Sequence, residues 1–374
     1  SGTDNDVTNL RIYRINVGSS AAEYQFVAEI DTSVTSYDDE KTDEELGEVL
    51  LTEGWNPLGV DFDYENQTWS DATEQPEGLI QASNGVQAAF QGNTIYFTEP
   101  FYPYAWPYSY KTDEDIMGLG YFQDIIVAVT KAYPYLFTGS DPETLSKEKL
   151  PHRQACVSKK SLISTVEGVF YASPDGLCLI NGKSVNVVTK NVYTRKQWQN
   201  LNPSTLISFY FNGYYFGFFE GTKTGIILNI SDIQEGVREI QWDAKSVFGG
   251  FVDAFEDTLN LLLYDADSAS YKVEAFGEND TPMQYTWKSG AFLFSQLQNF
   301  GACRIIGDFA AGSGITFSFY MDGTLNFTKT VNSDEPIRLP GKSKGKVFEY
   351  TVEGDIPIDR VEIATTIRGL MNHE

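Results

Sequence analysis

"VFYASPDGLCLING", residues 169–182, packs an aromatic-rich strand, a tight Asp175-Gly176 turn and a second apolar strand into one short span. Asp-Gly between two apolar runs is a strong short-range hairpin signal. One hairpin cannot bury both of its faces, so the fold depends on whether this unit stands alone or recurs.

It recurs. "NGVQAAFQGNTIYFTEP" (84–100), "YFQDIIVAVTKAYPYLFTGS" (121–140), "KSLISTVEGVFYASPDGLCLING" (160–182), "TLISFYFNGYYFGFFEGTKTGIILNI" (205–230) and "FGGFVDAFEDTLNLLLYDADSASYKVEAF" (248–276) share the strand–turn–strand pattern. Their central turns fall near Gly92, Ala132, Gly168, Gly213 and Thr258. That spacing of roughly forty residues, with three or four short strands in each unit, predicts a β-propeller-like repeat domain over 79–290.

The flanks read differently. "LRIYRINVG" and "YQFVAEI" alternate across a Gly-Ser-Ser turn. Residues 1–40 therefore read as the back half of a small β-sandwich without its front strands, as a piece of a longer protein would. Residues 41–78 read as an acidic linker. From 291 to 374, "GITFSFYMDGTLNFTKTV", "KVFEYTVEGD" and "IDRVEIATTI" predict a C-terminal antiparallel β-sandwich. The one good helix signal is "YTRKQWQNLNP" (193–203), opened by Thr194 and closed before Pro203. The expected fold class is all-β.

Composition agrees. Aromatics make up 14% of the chain and glycine supplies 32 of 374 residues, the usage of strands and turns. No apolar run reaches the roughly eighteen residues of a membrane helix, and the start shows no signal peptide. Net charge is −25. Residues 1–78 hold 3 Lys and Arg against 19 Asp and Glu, while 291–374 hold 8 against 10. A surface this acidic repels phosphate backbones rather than binding them.

Catalytic chemistry is sparse. The two histidines are His152 and the near-terminal His373, and no Ser sits in a Gly-x-Ser-x-Gly elbow. Cys156, Cys178 and Cys303 lack paired spacing and read as buried thiols. "DADSAS" (265–270) begins like a calcium loop but lacks the sixth-position Gly and the distal Glu, so it reads as a solvated turn. No Gly-x-x-x-x-Gly-Lys phosphate loop occurs. We expect no enzyme, no cofactor and no metal. "FYPYAWPYSY" (101–110) is the densest aromatic segment, and Tyr102, Tyr104, Trp106 and Tyr108 are candidate partner or sugar contacts.

A longer stretch, "YASPDGLCLINGKSVNVVTKNVYTRKQWQNLNP" (171–203), resembles a motif of virion proteins of tailed bacteriophages and prophages, in which a "YASPDGL" turn precedes T-R-x-x-W-x-x-L-N-P. "FTEPFYPYAWP", "LPHRQACVSKKS" and "WKSGAFLFSQLQNFGACRI" look like further blocks in the same order. Residues 11–39 resemble the end of a fibronectin-type module, without its front strands. The resemblance implies a non-enzymatic tail, neck, nozzle or hub component located in the virion. Its partners would be other tail or neck proteins and copies of itself in a ring, with DNA passing through and no membrane. It adds Arg195 and Trp198 as candidate contacts. Asp38, Asp39, Glu40, Asp43, Glu44 and Glu45 are candidates for an acidic channel lining that DNA slides past. The alternative is a receptor- or polysaccharide-binding tail protein, with or without glycosidase activity.

Overall fold

The computed structural model describes residues 8–15, 23–50, 55, 58–63, 68–71, 75–233, 236–242, 245–277, 284–309, 314–341 and 344–371. Strand accounts for 54% and helix for 7%, so the fold is all-β. The chain divides into two compact units, Ser1–Phe276 and Gly277–Glu374.

The first unit is built on five consecutive antiparallel meanders. Among the described residues, four have four strands and the fifth has three. The first runs through Glu77–Gln81, Gln87–Gln91, Thr94–Phe97 and Tyr108–Lys111; the second through Ile116–Phe122, Ile125–Thr130, Tyr135–Thr138 and Ser146–Lys149. The third comprises Ile163–Thr165, Gly168–Ala172, Leu177–Asn181 and Ser184–Val187. The fourth comprises Leu206–Phe211, Tyr214–Phe219, Thr224–Asn229 and Val237–Gln241, and the fifth Lys245–Asp253, Thr258–Asp265 and Ser270–Ala275. The opening stretch of the sequence is the middle pair of the third meander.

Each meander is covered by the next. Phe97 and Phe137 join the first two in one core, and Val129 and Val169 join the second and third. Phe170 and Tyr215 join the third and fourth, and Phe218 and Leu261 the fourth and fifth. Within the third meander, Val169, Tyr171, Cys178 and Ile180 face the second, whereas Phe170, Ala172, Leu177 and Leu179 face the fourth. Side chains alternate between the faces of a strand, so a strand buried on both faces must be apolar without alternation. That is why "VFYA" and "LCLI" are unbroken apolar runs.

The first strand of each meander lies beside the first strand of the next. Small residues allow this approach. A Cβ on Gly120 would stand 2.6 Å from Val169 Cγ1 and 3.2 Å from Ser164 Oγ. With that space open, the Tyr121 amide donates to Ser164 Oγ at 2.9 Å. Between the third and fourth meanders a buried polar network does the same work. The Ser158 hydroxyl donates to the Leu206 carbonyl (2.6 Å), and the Tyr215 hydroxyl, paired with Ser208, donates to the Ser161 carbonyl (3.2 Å).

Two details of the first unit differ from the sequence expectation. The turns at Gly92 and Ala132 follow second strands, whereas those at Gly168, Gly213 and Thr258 follow first strands, so the forty-residue count mixed two positions in the repeat. Residues 41–78 are also more than a connector. Phe26 and Leu50 amides and their partners Glu48 and Tyr24 add residues 47–50 to the edge of the Tyr24–Asp31 strand, which itself pairs with Asn9–Ile15. A further hairpin joins Val60–Asp63 to Thr68–Asp71.

In the second unit, Tyr285–Lys288 and Phe292–Gln298 both pair with Gly345–Gly354, which continues to Ile315–Met321 and Thr324–Val331. A second sheet holds Ile337–Arg338, Ala302–Gly307 and Ile358–Ala364. Cys303 and Ile305 from the second sheet meet Phe317, Phe319, Phe348 and Tyr350 from the first in one core. The expected boundary at 291 moves to 277, because Tyr285–Lys288 is a strand of this unit.

Gly120→Ala is expected to lower the unfolding free energy by about 1–3 kcal/mol, the usual range for overpacking against branched neighbours. Chemical denaturation of the full chain measures it. Gly182→Ala, where no atom lies near the added Cβ but φ is +55°, separates backbone strain from crowding.

Candidate functional site

The 171–203 stretch is a local clamp. Thr194 caps the helix Arg195–Asn200: its hydroxyl accepts from the Gln197 amide, and Gln197 Oε1 accepts from the Thr194 amide at 2.9 Å. Such reciprocal capping satisfies two helix-end donors. Asn202 ends the helix in the left-handed conformation (φ +58°), where Asn is tolerated, and Pro203 opens the next turn. The helix holds the Ser173–Gly176 turn from above. Trp198 Nε1 donates to the Ser173 carbonyl at 2.8 Å, and Arg195 pairs with Asp175 at 3.0 Å. Gln154 Nε2 donates to the other Asp175 oxygen at 3.0 Å. "SPDG" and "TRKQWQNLNP" are therefore two halves of one contact. Trp198 is fully buried, with Tyr193 and Phe219 as ring neighbours. It has no surface to offer a partner, and only the exposed Arg195 of the pair is available for one.

The aromatic loop between Thr94–Phe97 and Tyr108–Lys111 is divided. Tyr108 donates to Glu99 at 2.6 Å and Trp106 Nε1 to the Pro103 carbonyl at 2.9 Å, and both rings are half-buried. The Tyr108 hydroxyl is pushed well above its ordinary pKa by that bond to Glu99. Tyr102 and Tyr104 are exposed and gather around Trp55, with ring centroids 5.0 and 6.3 Å away. Phe101 is 78% exposed and sits at φ +65°, a conformation that an aromatic residue rarely adopts. Its amide donates to the Gly85 carbonyl, and its ring lies where a Gly85 side chain would be.

On the other side of the 82–86 turn is a cavity of about 260 Å³ between the first two meanders. Its floor includes Phe97, Ile126 and Phe137, and Ser83, Tyr121 and Asp124 stand at its rim. Asp124 Oδ1 accepts from the Ser83 hydroxyl at 2.6 Å and the Tyr121 hydroxyl at 2.5 Å, and the Ser83 amide donates to Tyr121 at 3.0 Å. These bonds, from Ser83 first, hold the Asp124 carboxyl below its ordinary pKa. None of these rim residues stood out in the sequence.

The acidic segment is surface-exposed but partly engaged. Arg14 pairs with Asp39 at 2.8 Å and Asp43 at 3.1 Å. Glu45 accepts from the Thr42 amide at 2.9 Å, which lowers its pKa. Asp38, Glu40 and Glu44 are exposed. Asp265, the head of the calcium-like loop, accepts from the Asp267 and Ser268 amides and so closes a turn on itself.

No family model and no curated protein matches the chain. Among solved structures it is similar to a computationally designed protein (11% identity, TM-score 0.36, 55% of this chain and 63% of that one). It is also similar to a component of a mitotic checkpoint complex (7%, 0.34, 62% and 80%). A third is the extracellular domain of a hybrid two-component system from B. thetaiotaomicron (13%, 0.37, 76% and 40%). The chain spans 63% of the designed protein and 40% of the bacterial one. At these TM-scores the likenesses assign neither fold nor function.

Two outcomes follow from this geometry. Trp198→Phe, which leaves the Ser173 carbonyl unpaired, should cost about 1–3 kcal/mol, and Trp198→Ala about 3–5 kcal/mol, both read by denaturant melts. Burial pushes Cys156 and Cys303 up to about 12 and Cys178 up to about 11. A thiol-reactive disulfide reagent at pH 8 should therefore label none of the three in the native chain and all three after unfolding.

Proposed function

We propose that this chain is a non-enzymatic structural component of a phage tail, at the nozzle, hub or neck, in which the five meanders are blades of a β-propeller-like wall beside the DNA path. The observation that carries this reading is the succession of five meanders, each covered by the next and each aligned by its first strand. A wall of this kind needs rigidity, and the clamp formed by the phage-like motif supplies it by tying the third meander to the fourth. The two-sheet second unit fits a terminal β-sandwich, and the strand pair before residue 40 fits the end of a fibronectin-type module.

Assembly into a ring of identical copies is supported by the last meander. Leu259, Leu261 and Leu263 face the fourth meander, and the opposite face presents Phe248, Phe251, Leu262, Tyr264, Tyr271 and Val273. Phe251, Tyr271 and Val273 are exposed. Terminal repeats of a stack ordinarily carry a polar outer face, so an apolar one suits a neighbouring copy. The acidic residues from Asp38 to Glu45 would let DNA slide past without binding.

A second reading, a receptor- or polysaccharide-binding tail protein, is favoured by Phe101, Tyr102 and Tyr104. These rings are exposed on one loop, and one of them is held in a strained backbone conformation.

Electron microscopy of the purified chain, and of particles labelled on it, tests the first reading. Closed rings on the tail axis are expected, dissociating to single chains in Phe251→Ser/Tyr271→Ser. Single chains or trimers at the tail periphery would contradict it.

A further inference from the structure

We propose that the cavity between the first two meanders is a binding subsite for one neutral hexose unit of a polysaccharide, with the exposed rings of the 101–104 loop carrying the neighbouring units. The inference rests on the second reading above and gives it a site and a ligand class.

Size comes first. About 260 Å³ is below the roughly 300–1,000 Å³ of pockets that take drug-sized ligands, which leaves room for a single ring. Chemistry comes next. A pyranose has apolar C–H faces and a belt of hydroxyls. Phe97, Ile126 and Phe137 lie buried beneath the cavity, and the half-buried Leu145 side chain and Tyr121 ring keep apolar surface for a C–H face beside a rim of hydroxyls and one carboxylate. Asp124 is held in place through Oδ1 by Ser83 and Tyr121. Oδ2 takes no hydrogen bond among the described residues and can accept from a sugar hydroxyl. A hydrogen bond to a charged, pre-positioned carboxylate is stronger than one between neutral groups.

Backbone conformation beside the cavity is of two kinds. Gln123 and Asp124 are the two-residue hairpin turn at the rim, where positive φ at both positions (+44° and +60°) is the ordinary geometry. Phe101, across the 82–86 turn, holds φ of +65°, which an aromatic residue rarely adopts. Conformations of this kind persist where the surroundings enforce them and cluster at binding sites. Phe101 recovers little of that cost by burial, because its ring faces solvent. Charge selects the ligand. Asp124 at the rim, Asp141 and Glu143 beside the lining residue Pro142, and a chain carrying −25 repel uronic or sialic acids, which leaves neutral sugars.

Titration calorimetry and a glycan array test the site, using dextran, mannan and galactan as neutral probes and alginate as the anionic one. The variants are Asp124→Asn, which keeps a residue suited to the left-handed turn, Tyr121→Phe, and Tyr102→Ala/Tyr104→Ala. Circular dichroism melts check that each variant folds. The expected result is binding of at least one neutral glycan, weakened tenfold or more in Asp124→Asn and Tyr121→Phe, with no binding of alginate. Neutral-glycan binding that survives both rim variants and is lost only in Tyr102→Ala/Tyr104→Ala would overturn the subsite while leaving the second reading intact. Preference for alginate would overturn the neutral-sugar assignment. No binding by any of these polymers would overturn the subsite and the second reading together.

Discussion

The close approach of successive first strands is the constraint on which the rest of the first unit depends. A meander has two large faces, and both must leave water for the strands to be stable. Stacking one sheet on the next accomplishes this only if the strands that lead each sheet can come together. Gly120 on the second meander leaves room for Val169 on the third, and the Tyr121 amide reaches Ser164 through the gap. Between the third and fourth meanders the approach is held by hydrogen bonds of Ser158, Ser208 and Tyr215, all buried. Buried polar groups of this kind fix one arrangement, because any slip leaves a donor or acceptor unpaired.

Once the sheets are stacked, the roles of the loops separate. The motif around Trp198 lies between two meanders and works inward, through an indole nitrogen on the Ser173 carbonyl. The loop around Phe101 and the turn at Gln123-Asp124 lie at the ends of strands and work outward. Strand ends on a rigid array are where chemistry can vary without disturbing the core. The proposed structural and recognition roles would therefore not compete for residues. The acidic segment illustrates the same economy, since Arg14 holds Asp39 and Asp43 on the β-hairpin while the neighbouring carboxylates stay exposed.

Much of the fold was legible because burial on both faces leaves a signature. "IIVAV" (125–129), "VFYA" (169–172) and "LCLI" (177–180) are apolar at every position, as strands sandwiched between two sheets must be. The repeat itself was visible, whereas its phase was not: Gly-containing turns occur after first and second strands alike, so turn chemistry alone does not number the strands. Trp198 was read as a candidate contact, but its side chain is directed into the core, which a motif cannot reveal. The cavity was not visible at all. Ser83, Tyr121 and Asp124 are ordinary turn and strand-end residues drawn from two meanders, and only folding brings them together. The one available hint was a Gln-Asp turn where a glycine is usual.

A crystallographic electron-density map of the full chain tests the central claim most directly. The proposed blade arrangement requires Ile116–Phe122, Ile163–Thr165, Leu206–Phe211 and Lys245–Asp253 to lie side by side around one axis, with later strands of each meander farther out. A map in which these four strands follow a straight line, with the meanders stacked like parallel plates, would contradict it.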